Sequence, residues 1–427
     1  MTWTDSIKSI KVGIAVEQTA GTVETAPQEY IYTTSEAVLN PEMTQDELRA
    51  MGSRGITFSV DKPYHVTGNV PSWAFPETNG LGYMMYGAFG SATSASVTGT
   101  AVYVHKFSVV DTQVPSFTLW CKTGVYEVKT SNNQVNKLVI KNDKASVMDY
   151  SADFVGSELM TATDFGTETY VTGGTKVFRS GGTSVFWDDT LSSNVDDVSI
   201  TIDNGINPDD AKSLGTVFAN HILAGDRSIT GEATIFVEST TELEDFWGAA
   251  TGPVLNKASI PIIIKSESSA IISTATVGSA VKICGSGTPT ITTGGSYAGT
   301  AADALFEIKI DSIGPDKLMW RKDGGAWSTA TAIVSTAMTL SDGVTVTFSA
   351  TTGNTLKDRW FILVGKIPYT LYVYMPSCKI TGFQQGATGN RLSAKVSWTA
   401  EIDGTTGMGF DAVAFLVNTK ATSYATP

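Results

Sequence analysis

The amino-terminal part of the chain carries apolar residues at every second position. These residues are Ile10, Val12, Ile14 and Val16. Such spacing is typical of a β-strand with one buried face. The polar stretch that follows contains one short predicted helix over residues 44–51, with Thr44 as its cap and Glu47 three residues later. We therefore interpret residues 1–55 as a strand followed by an extended arm.

The hydrophobic pattern then occurs twice along the chain. In the first copy, a strand-like run over residues 56–70 leads into a short helix within residues 75–90, which is punctuated by glycine. One face of this helix collects Leu81, Met84, Met85 and Phe89. In the second copy, a strand-like run over residues 228–238 leads into a predicted helix over residues 240–252. Its matching apolar face consists of Leu243, Phe246 and Trp247.

Two strands and a hairpin follow each predicted helix. In the first copy, the strands cover residues 101–110 and 116–122, and the hairpin arms cover 135–140 and 145–155. In the second copy, the strands cover residues 258–265 and 369–375, and the hairpin arms cover 378–383 and 391–402. Because few residues are identical between the copies, the predicted repeat depends on the order of the elements.

The two copies differ by one long insertion. Where the first copy joins its paired strands through residues 111–115, the second inserts residues 267–364. This insert is rich in turn signals such as Asp323-Gly324-Gly325, and it contains short apolar runs, so we expect a small antiparallel β-sandwich. It holds eight acidic and seven basic side chains, so nearly all of the formal charge of −13 belongs to the rest of the chain.

These patterns predict a mainly β protein with two tandem β-sandwich or barrel repeats, each with a short helix, and an inserted β-sandwich. The predicted division is an arm at 1–55, a first repeat at 56–190, a second repeat at 191–266 and 365–427, and an insert at 267–364. A chain of 427 residues is long enough to bury several cores of this kind.

The charge and the cysteines restrict the classes of partner. A formal charge of −13 leaves no basic surplus for tight binding to nucleic acid or to an anionic membrane. Cys121, Cys284 and Cys378 are odd in number and far apart, so we expect buried thiols and synthesis in a reducing cytoplasm. The sequence contains no apolar stretch of the length that a signal peptide or a membrane span requires.

Candidate chemistry is sparse. The sequence contains no nucleophile-elbow, phosphate-binding or dinucleotide motif, and His65, His105 and His221 are isolated from one another. Residues 203–209 alternate oxygen-bearing side chains as a calcium loop does, but Pro208 stands where such a loop needs glycine. We therefore predict no catalytic, cofactor-binding or metal site, no cofactor, and no enzymatic activity.

Three tryptophans of the insert leave a second interpretation open. Trp320, Trp327 and Trp360 are either packing residues or a flat platform for sugar rings. A sugar platform would favour an adhesin or carbohydrate-binding protein of a virion surface. Packing residues would leave the insert as a structural decoration.

Four short segments together resemble the phage tail tube proteins. They are residues 12–22 near the start, 81–90 in the predicted helix, 103–107 and 115–119. Each motif is only moderately specific, but they occur in the family's order. The resemblance covers residues 10–156, continues more loosely over 194–265 and resumes over 369–416. The insert is similar to the immunoglobulin-like or hook-like decorations of some tail tubes.

The resemblance implies a major tail tube protein of a long-tailed, siphovirus-like bacteriophage. Such a protein is not an enzyme, is made in the host cytoplasm and resides in the virion tail. Its subunits form stacked rings around a tape-measure protein and meet tail terminator and distal tail proteins. DNA later passes through the tube without specific binding during genome ejection, and no membrane partner is implied.

The resemblance and the repeat together predict a ring. Family tubes commonly have six-fold rings with one tube domain per subunit, so two repeats per chain predict trimers with pseudo-six-fold symmetry, with hexamers as the alternative. Pairing of exposed sheet edges between neighbours would close this ring. We expect the insert to point outward and the lumen to be negative. We assign ring stacking to the amino-terminal arm, through Ile10, Val12, Ile14, Val16 and Glu17.

Overall fold

The computed structural model shows a mainly β chain, which confirms the predicted fold class. The structure describes residues 10–35, 37–43, 45–48, 51, 56, 58–97, 100–168, 176–192, 194–213, 215–237, 241–249, 251–254, 258–275, 277–301, 303–356, 358–388, 391–402 and 410–426.

The first part of the chain forms twelve strands and one helix in the order β1 to β6, α1, β7 to β12. Their bounds are β1 Lys11–Val16, β2 Glu29–Ile31, β3 Val38–Glu42, β4 Gln45–Leu48, β5 Phe58–Asp61, β6 His65–Trp73, α1 Leu81–Phe89, β7 Gly90–Ser96, β8 Tyr103–Val109, β9 Phe117–Lys122, β10 Glu127–Asp143, β11 Asp149–Gly156 and β12 Leu159–Thr161.

The remainder begins with a 3₁₀ turn at Ser180–Gly182 and continues as strands and one more helix. Their bounds are β13 Thr183–Trp187, β14 Thr190–Ser192, β15 Val195–Asp203, β16 Ser228–Phe236, α2 Thr241–Trp247, β17 Ile260–Ala275, β18 Val281–Cys284, β19 Ile291–Gly295, β20 Asp303–Ser312, β21 Lys317–Lys322, β22 Thr331–Ala332, β23 Met338–Thr339, β24 Val344–Phe348, β25 Arg359–Thr388, β26 Arg391–Ala400 and β27 Val413–Asn418.

One antiparallel sheet of eight strands runs through both repeats, and we call it the long sheet. Its strand order is β3-β6-β11-β10-β15-β16-β26-β25. Four neighbouring strands come from each half of the chain. The two halves meet where β10 pairs with β15, from Lys137 opposite Asp203 to Asp143 opposite Asp197.

Each half also has a second sheet, which we call its cover sheet. The first cover sheet has the order β2-β1-β9-β10-β12. The second has the order β14-β13-β17-β25-β27. The strands therefore match one to one, and in both halves one long strand, β10 or β25, crosses from the cover sheet into the long sheet.

Local details of the long sheet support this match. The register between β10 and β11 shifts between Val135 and Lys137, and the register between β25 and β26 shifts between Ile380 and Gly382. In β6, Gly68 lies opposite Phe154, and in β16, Gly231 lies opposite Trp398. A bulge and a glycine opposite an aromatic residue thus recur at equivalent places, which indicates a true structural repeat.

The matched strands correct the alignment made from sequence. Strand β9 pairs with β10 just as β17 pairs with β25. Strand β8 instead pairs with β7 and with β27, so the expected pairing of residues 101–110 with 116–122 was wrong. The insert therefore occupies the place of the turn at residues 123–126, not the place of residues 111–115. Among the described residues, the β7–β8 hairpin has no counterpart in the second repeat.

Two local predictions near the amino terminus also differ from the structure. The helix predicted over residues 44–51 was wrong, because residues 45–48 form β4 and pair with β5. Thr44 and residues 49–50 lie outside the described residues. The single strand predicted over residues 56–70 is two strands, β5 and β6, separated by a break at residues 62–64. Cross-strand pairing in this hairpin outweighs the capping signal, which is worth only about 1 kcal/mol.

The strand pairings place the start of each repeat earlier in the chain than the predicted domain boundaries. The first repeat starts at β1, inside the predicted arm, and the second starts at β13, before residue 191. Strands β17 and β25 remain paired across the predicted limits of the insert, up to Ala275 opposite Gly365. The division of the chain into domains stays a prediction.

The main core lies between the long sheet and the cover sheets, around α1. The predicted apolar face of this helix is confirmed, since Leu81, Met84, Met85 and Phe89 are all buried. Gly80 and Gly90, at the helix ends, have φ of 80° and 94°, in the left-handed region that glycine tolerates best. The second helix is less covered: Phe246 is half-buried and stacks on Phe383 with ring centroids 6.0 Å apart.

The insert covers the outer face of the second cover sheet. Along β25, Leu371 and Val373 point into the main core, whereas Tyr372 and Tyr374 alternate with them and belong to a second cluster. That cluster also contains Phe361 and other side chains of the insert. Since side chains alternate across a strand, the insert and the long sheet lie on opposite faces of this cover sheet.

The insert has a core of its own. Its strands form two groups: β18, β20, β21 and β22 around the first part of β25, and the three-stranded sheet β19-β24-β23. Phe306, Phe348 and Trp360 are buried between them. The immunoglobulin-like character of the insert stays a prediction.

Candidate functional site

The long sheet ends in two unpaired strand edges. Within the described residues, β3 is paired only with β6, and residues 382–388 of β25 are paired only with β26. Each outer edge therefore presents backbone N–H and C=O groups with no strand beside them. Such edges are templates for pairing with another chain unless they are blocked. These two edges are the strongest candidate functional site of the molecule.

The junction between the two repeats shows how such an edge is satisfied. Strand β10 is the in-chain equivalent of β25, and its corresponding edge is covered by β15. As a result, Leu138 and Ile140 are buried, with exposures of 0% and 7%. The equivalent part of β25 has no such neighbour, and Gln385 there is exposed.

Of the five residues predicted for ring stacking, Val12, Ile14 and Val16 lie in a strand that is already paired on both sides, and Ile10 and Glu17 flank it. Strand β1 pairs with β2 on one edge and with β9 on the other. Val12, Ile14 and Val16 are buried in the main core, and Ile10 packs against it. The apolar spacing thus reflects burial against strands of the same chain. The sequence had instead suggested a partner strand in a neighbouring ring. A stacking role for these residues stays a prediction without a free surface to support it.

Glu17 has a local role in the fold. Its carboxylate accepts hydrogen bonds from the backbone N–H of Gly21 at 2.8 Å and of Asn132 at 2.8 Å, and from the hydroxyl of Thr118 at 3.1 Å. Asn132, with φ of 52°, lies where β10 leaves the cover sheet for the long sheet. Glu17 therefore stabilises this bend, a role that no pattern along the chain indicates.

Exposed apolar side chains gather on one rim of the long sheet. The segments that join β3 to β6 and β15 to β16 both leave the sheet at this rim, because their flanking strands are equivalent. Exposed apolar residues of these segments include Met43, Met51, Ile56 and Val60 in the first and Val217 and Leu223 in the second. A group of this kind on a folded chain is typical of a contact surface.

A buried ionic cluster joins the insert to the second repeat. Arg321 and Glu307 are 0% and 1% exposed, and Nη2 of Arg321 donates to both carboxylate oxygens of Glu307 at 3.0 Å. Asp189, in the β13–β14 turn, accepts a hydrogen bond from Arg359 at 2.7 Å. Burial alone would raise the pKa of Asp189, but the guanidinium groups of Arg359 and Arg321 lower it by more. The pKa of Asp189 therefore lies below its ordinary value.

The three tryptophans of the insert are engaged in packing. Trp360 is buried in the core of the insert, and Trp320 packs against Phe306 with centroids 6.0 Å apart. Nζ of Lys309 and the guanidinium of Arg321 lie 4.2 and 4.6 Å from the ring centroid of Trp327. This arrangement places cations where a sugar would have to stack. It therefore gives no support to the carbohydrate-binding interpretation.

The histidines stand apart from one another, as the sequence suggested. His105 is fully buried: its Nε2 lies 2.9 Å from Oδ1 of Asn418, and its Nδ1 lies 2.7 Å from the hydroxyl of Ser94. Burial lowers the pKa of His105 to about 4. Burial also lowers the pKa of His65, while His221 is exposed.

Neither acidic residues nor cysteines form a reactive centre in the described part of the chain. Asp209, in the calcium-like loop, pairs with Lys212 at 2.7 Å, and Asp203 accepts a hydrogen bond from the N–H of Gly205 at 2.9 Å. No group of three or more His, Cys, Asp or Glu residues among those described is placed to hold a metal ion. The three cysteines are buried free thiols, as expected, and burial raises the pKa of Cys121 to about 11.

A repeated β-sandwich with open edges on its longest sheet is typical of a structural protein that assembles with copies of itself. The family model for phage tail tube proteins matches residues 8–301, which is more than half of the chain. The protein therefore belongs to the phage tail tube protein family. Members of this family are structural, non-enzymatic components of the virion tail. A comparison with curated proteins finds no match. Among the described residues, no helix is long and apolar enough to cross a membrane.

Proposed function

We propose that this chain forms closed rings by pairing β3 of each subunit with β25 of the next, and that these rings stack into the tube that conducts DNA during genome ejection. The observation that carries the proposal is the long sheet, whose two outer edges are unpaired. Ring closure would give every edge a partner and leave an open lumen. The family match supports the tail tube role itself.

The number of subunits follows from the repeat. Each repeat contributes four strands to the long sheet, and one of the two repeat-to-repeat junctions already lies within the chain. If six repeats surround the lumen, as the resemblance implies, three chains close the ring. We therefore propose trimers with pseudo-six-fold symmetry; hexamers of the chain are the alternative. The siphovirus-like character of the phage and contacts with tape-measure, terminator and distal tail proteins belong to the same proposal.

The long sheet is the proposed lumen wall. One of its faces packs on the main core, so the other faces the channel. Its strands, with β10 and β25 counted from residues 134 and 378, carry eight carboxylates and five basic side chains. The excess of carboxylates is modest, but its sign disfavours binding of phosphates to the wall. This supports a channel that DNA passes without being held.

The insert has its place on the outside of the tube in this proposal. It covers the face of the second cover sheet that points away from the long sheet. A folded domain on that face leaves the channel free. We also propose that ring stacking uses the rim segments between β3 and β6 and between β15 and β16, since they present exposed apolar side chains.

Electron microscopy of the purified, concentrated protein tests the function. We expect hollow filaments of uniform bore. A protein that remains monomeric at all concentrations and ionic strengths, with no filaments even when seeded with tube fragments, would contradict the proposal. Mass measurement of isolated rings distinguishes three copies from six.

A further inference from the structure

We infer that the seam between two chains has the same register as the junction within one chain, so that Gln384 of one subunit lies opposite Asn40 of the next. This inference rests on the proposed function, because it requires β25 of one copy to pair with β3 of another. It adds to that function a residue-by-residue arrangement of the contact. The register follows from the equivalence of the two repeats, position by position.

The bulges fix the equivalence of β10 and β25. In β10, the bulge lies between Val135 and Lys137, and in β25 it lies between Ile380 and Gly382. When these bulges are superimposed, Lys137 corresponds to Gly382. Counting on by two residues, Val139 corresponds to Gln384.

The neighbouring strands fix the equivalence of β3 and β15. The residue after the bulge lies opposite Asp153 in the first repeat and opposite Ser397 in the second. On the next strand, Asp153 lies opposite Asn69, and Ser397 lies opposite Glu232. Two residues earlier, Thr67 and Thr230 are therefore equivalent. Thr67 lies opposite Asn40, and Thr230 lies opposite Thr201. Asn40 is thus the equivalent of Thr201.

The in-chain junction then gives the register of the seam. Within the chain, Val139 lies opposite Thr201 and Lys137 lies opposite Asp203. Transferring these two pairs to the seam places Gln384 opposite Asn40 and Gly382 opposite Glu42. Three more pairs follow at successive positions of the two strands: Phe383 with Pro41, Gln385 with Leu39, and Gly386 with Val38.

The burial of the equivalent residues agrees with a missing neighbour at the seam. Leu138 and Ile200 face the core at the in-chain junction and are buried, with exposures of 0% and 4%. Their equivalents, Phe383 and Leu39, also pack against the main core but are only partly buried. The transferred register places both on the core side of the seam, where the neighbouring chain would complete their burial. A shift by one residue would turn Leu39 toward the partner's channel-facing side chains.

Disulfide cross-linking tests the register in assembled tubes. Directly opposite residues in an antiparallel pair have Cα atoms about 4.5–5.5 Å apart, which a disulfide accommodates, whereas diagonal neighbours are about 7–8 Å apart. We expect Asn40→Cys combined with Gln384→Cys to link most chains covalently under mild oxidation. The combination of Asn40→Cys with Gly386→Cys, shifted by two residues on the same face, should link few. The native cysteines are buried and stay unchanged.

Two further pairs make the result unambiguous. Glu42→Cys with Gly382→Cys tests the same register at a second position if the first pair hinders folding. Val139→Cys with Thr201→Cys should link within one chain, without an increase in mass on a denaturing gel. Tubes that link preferentially through the shifted pair would overturn the register and leave the proposed function intact. Failure of the unaltered protein to form tubes would overturn both.

Discussion

The two repeats of this chain share their strand order but differ in what covers their outer faces. In the first repeat, Phe165 and its neighbours in residues 162–168 form a strap over the cover sheet, where Phe165 packs with Ala15 and Trp120. In the second repeat, the insert covers the equivalent face. The long sheet is alike in both halves, including the bulge that β10 and β25 share. The proposed channel wall is thus the constrained part of the fold, and the outside is free to vary.

The two covers are also attached to the cover sheets by different kinds of interaction. The strap is held by partly exposed polar contacts: Trp120 donates its indole N–H to Asp164 at 2.8 Å, and Lys129 pairs with the same carboxylate. The insert is held through Asp189 of the second repeat: its backbone carbonyl accepts a hydrogen bond from Arg321, and its carboxylate pairs with Arg359. Arg321 is kept in place by its fully buried pair with Glu307 inside the insert. Buried ion pairs depend on both partners, so the second cover should be far more sensitive to single substitutions.

The largest expected effect follows from breaking the buried pair. Arg321→Met leaves Glu307 buried without its cation, so we expect the free energy of unfolding to fall by about 3–5 kcal/mol. Urea unfolding followed by tryptophan fluorescence measures this change. The matched control is the double variant Arg321→Met with Glu307→Leu, which should recover most of the loss. A loss below about 1 kcal/mol in the single variant would show that the pair does not stabilise the insert.

A second effect concerns the contact between the repeats at β8 and β27. Burial lowers the pKa of His105 to about 4 from an ordinary value of 6.5. The unfolded chain therefore binds this proton more readily, so stability should fall as pH decreases from about 6.5 to 4, by about 3 kcal/mol at most. The difference in unfolding free energy between the unaltered protein and His105→Gln isolates this contribution. Identical pH profiles for the two proteins would contradict this prediction.

A third effect concerns the space beside two glycines of the long sheet. A Cβ at Gly231 would overlap the ring of Trp398, whereas a Cβ at Gly382 would meet only Ser397 at 3.5 Å. We expect Gly231→Ala to destabilise the chain by about 1–3 kcal/mol through overpacking. Gly382→Ala, in the same sheet, should change stability by less than about 1 kcal/mol. Equal effects in denaturant unfolding would count against the packing argument.

The smallest effect concerns the strap. Asp164→Asn removes the charge that Lys129 pairs with and weakens the hydrogen bond from Trp120, so we expect a loss of about 1 kcal/mol. The comparison is Glu232→Gln, which breaks the exposed pair with Lys395 and should cost under about 0.5 kcal/mol. Thermal unfolding of both variants measures the difference. A larger loss at Glu232 would reverse the assignment of the strap as a stabilising cover.

The sequence predicted the order of helices and strands better than it predicted which strands pair with each other. The helix face at Leu81, Met84, Met85 and Phe89, the strand at β16 and both hairpins follow from local periodicity, which the structure retains. Partners depend on contacts between distant residues. For this reason β8 was matched with the wrong strand, and the insert was assigned to the wrong connection.

The open edges were harder to foresee than the fold. An edge is defined by the absence of a neighbour, and no residue type reports that absence directly. Apolar spacing drew attention to Val12 and Ile14, which are covered within the chain. The stronger signal was polar: Gln384 and Gln385 in β25 stand where β10 has Val139 and Ile140. That difference becomes visible only after the strands are matched.

Cryo-electron microscopy of assembled tubes, viewed down the axis, tests the central claim most directly. We predict six inner lobes in each ring with three outer densities, one insert for every second lobe, and a continuous sheet around the lumen that joins β25 of each chain to β3 of the next. Six outer densities per ring, or a lumen lined by other strands, would contradict the account.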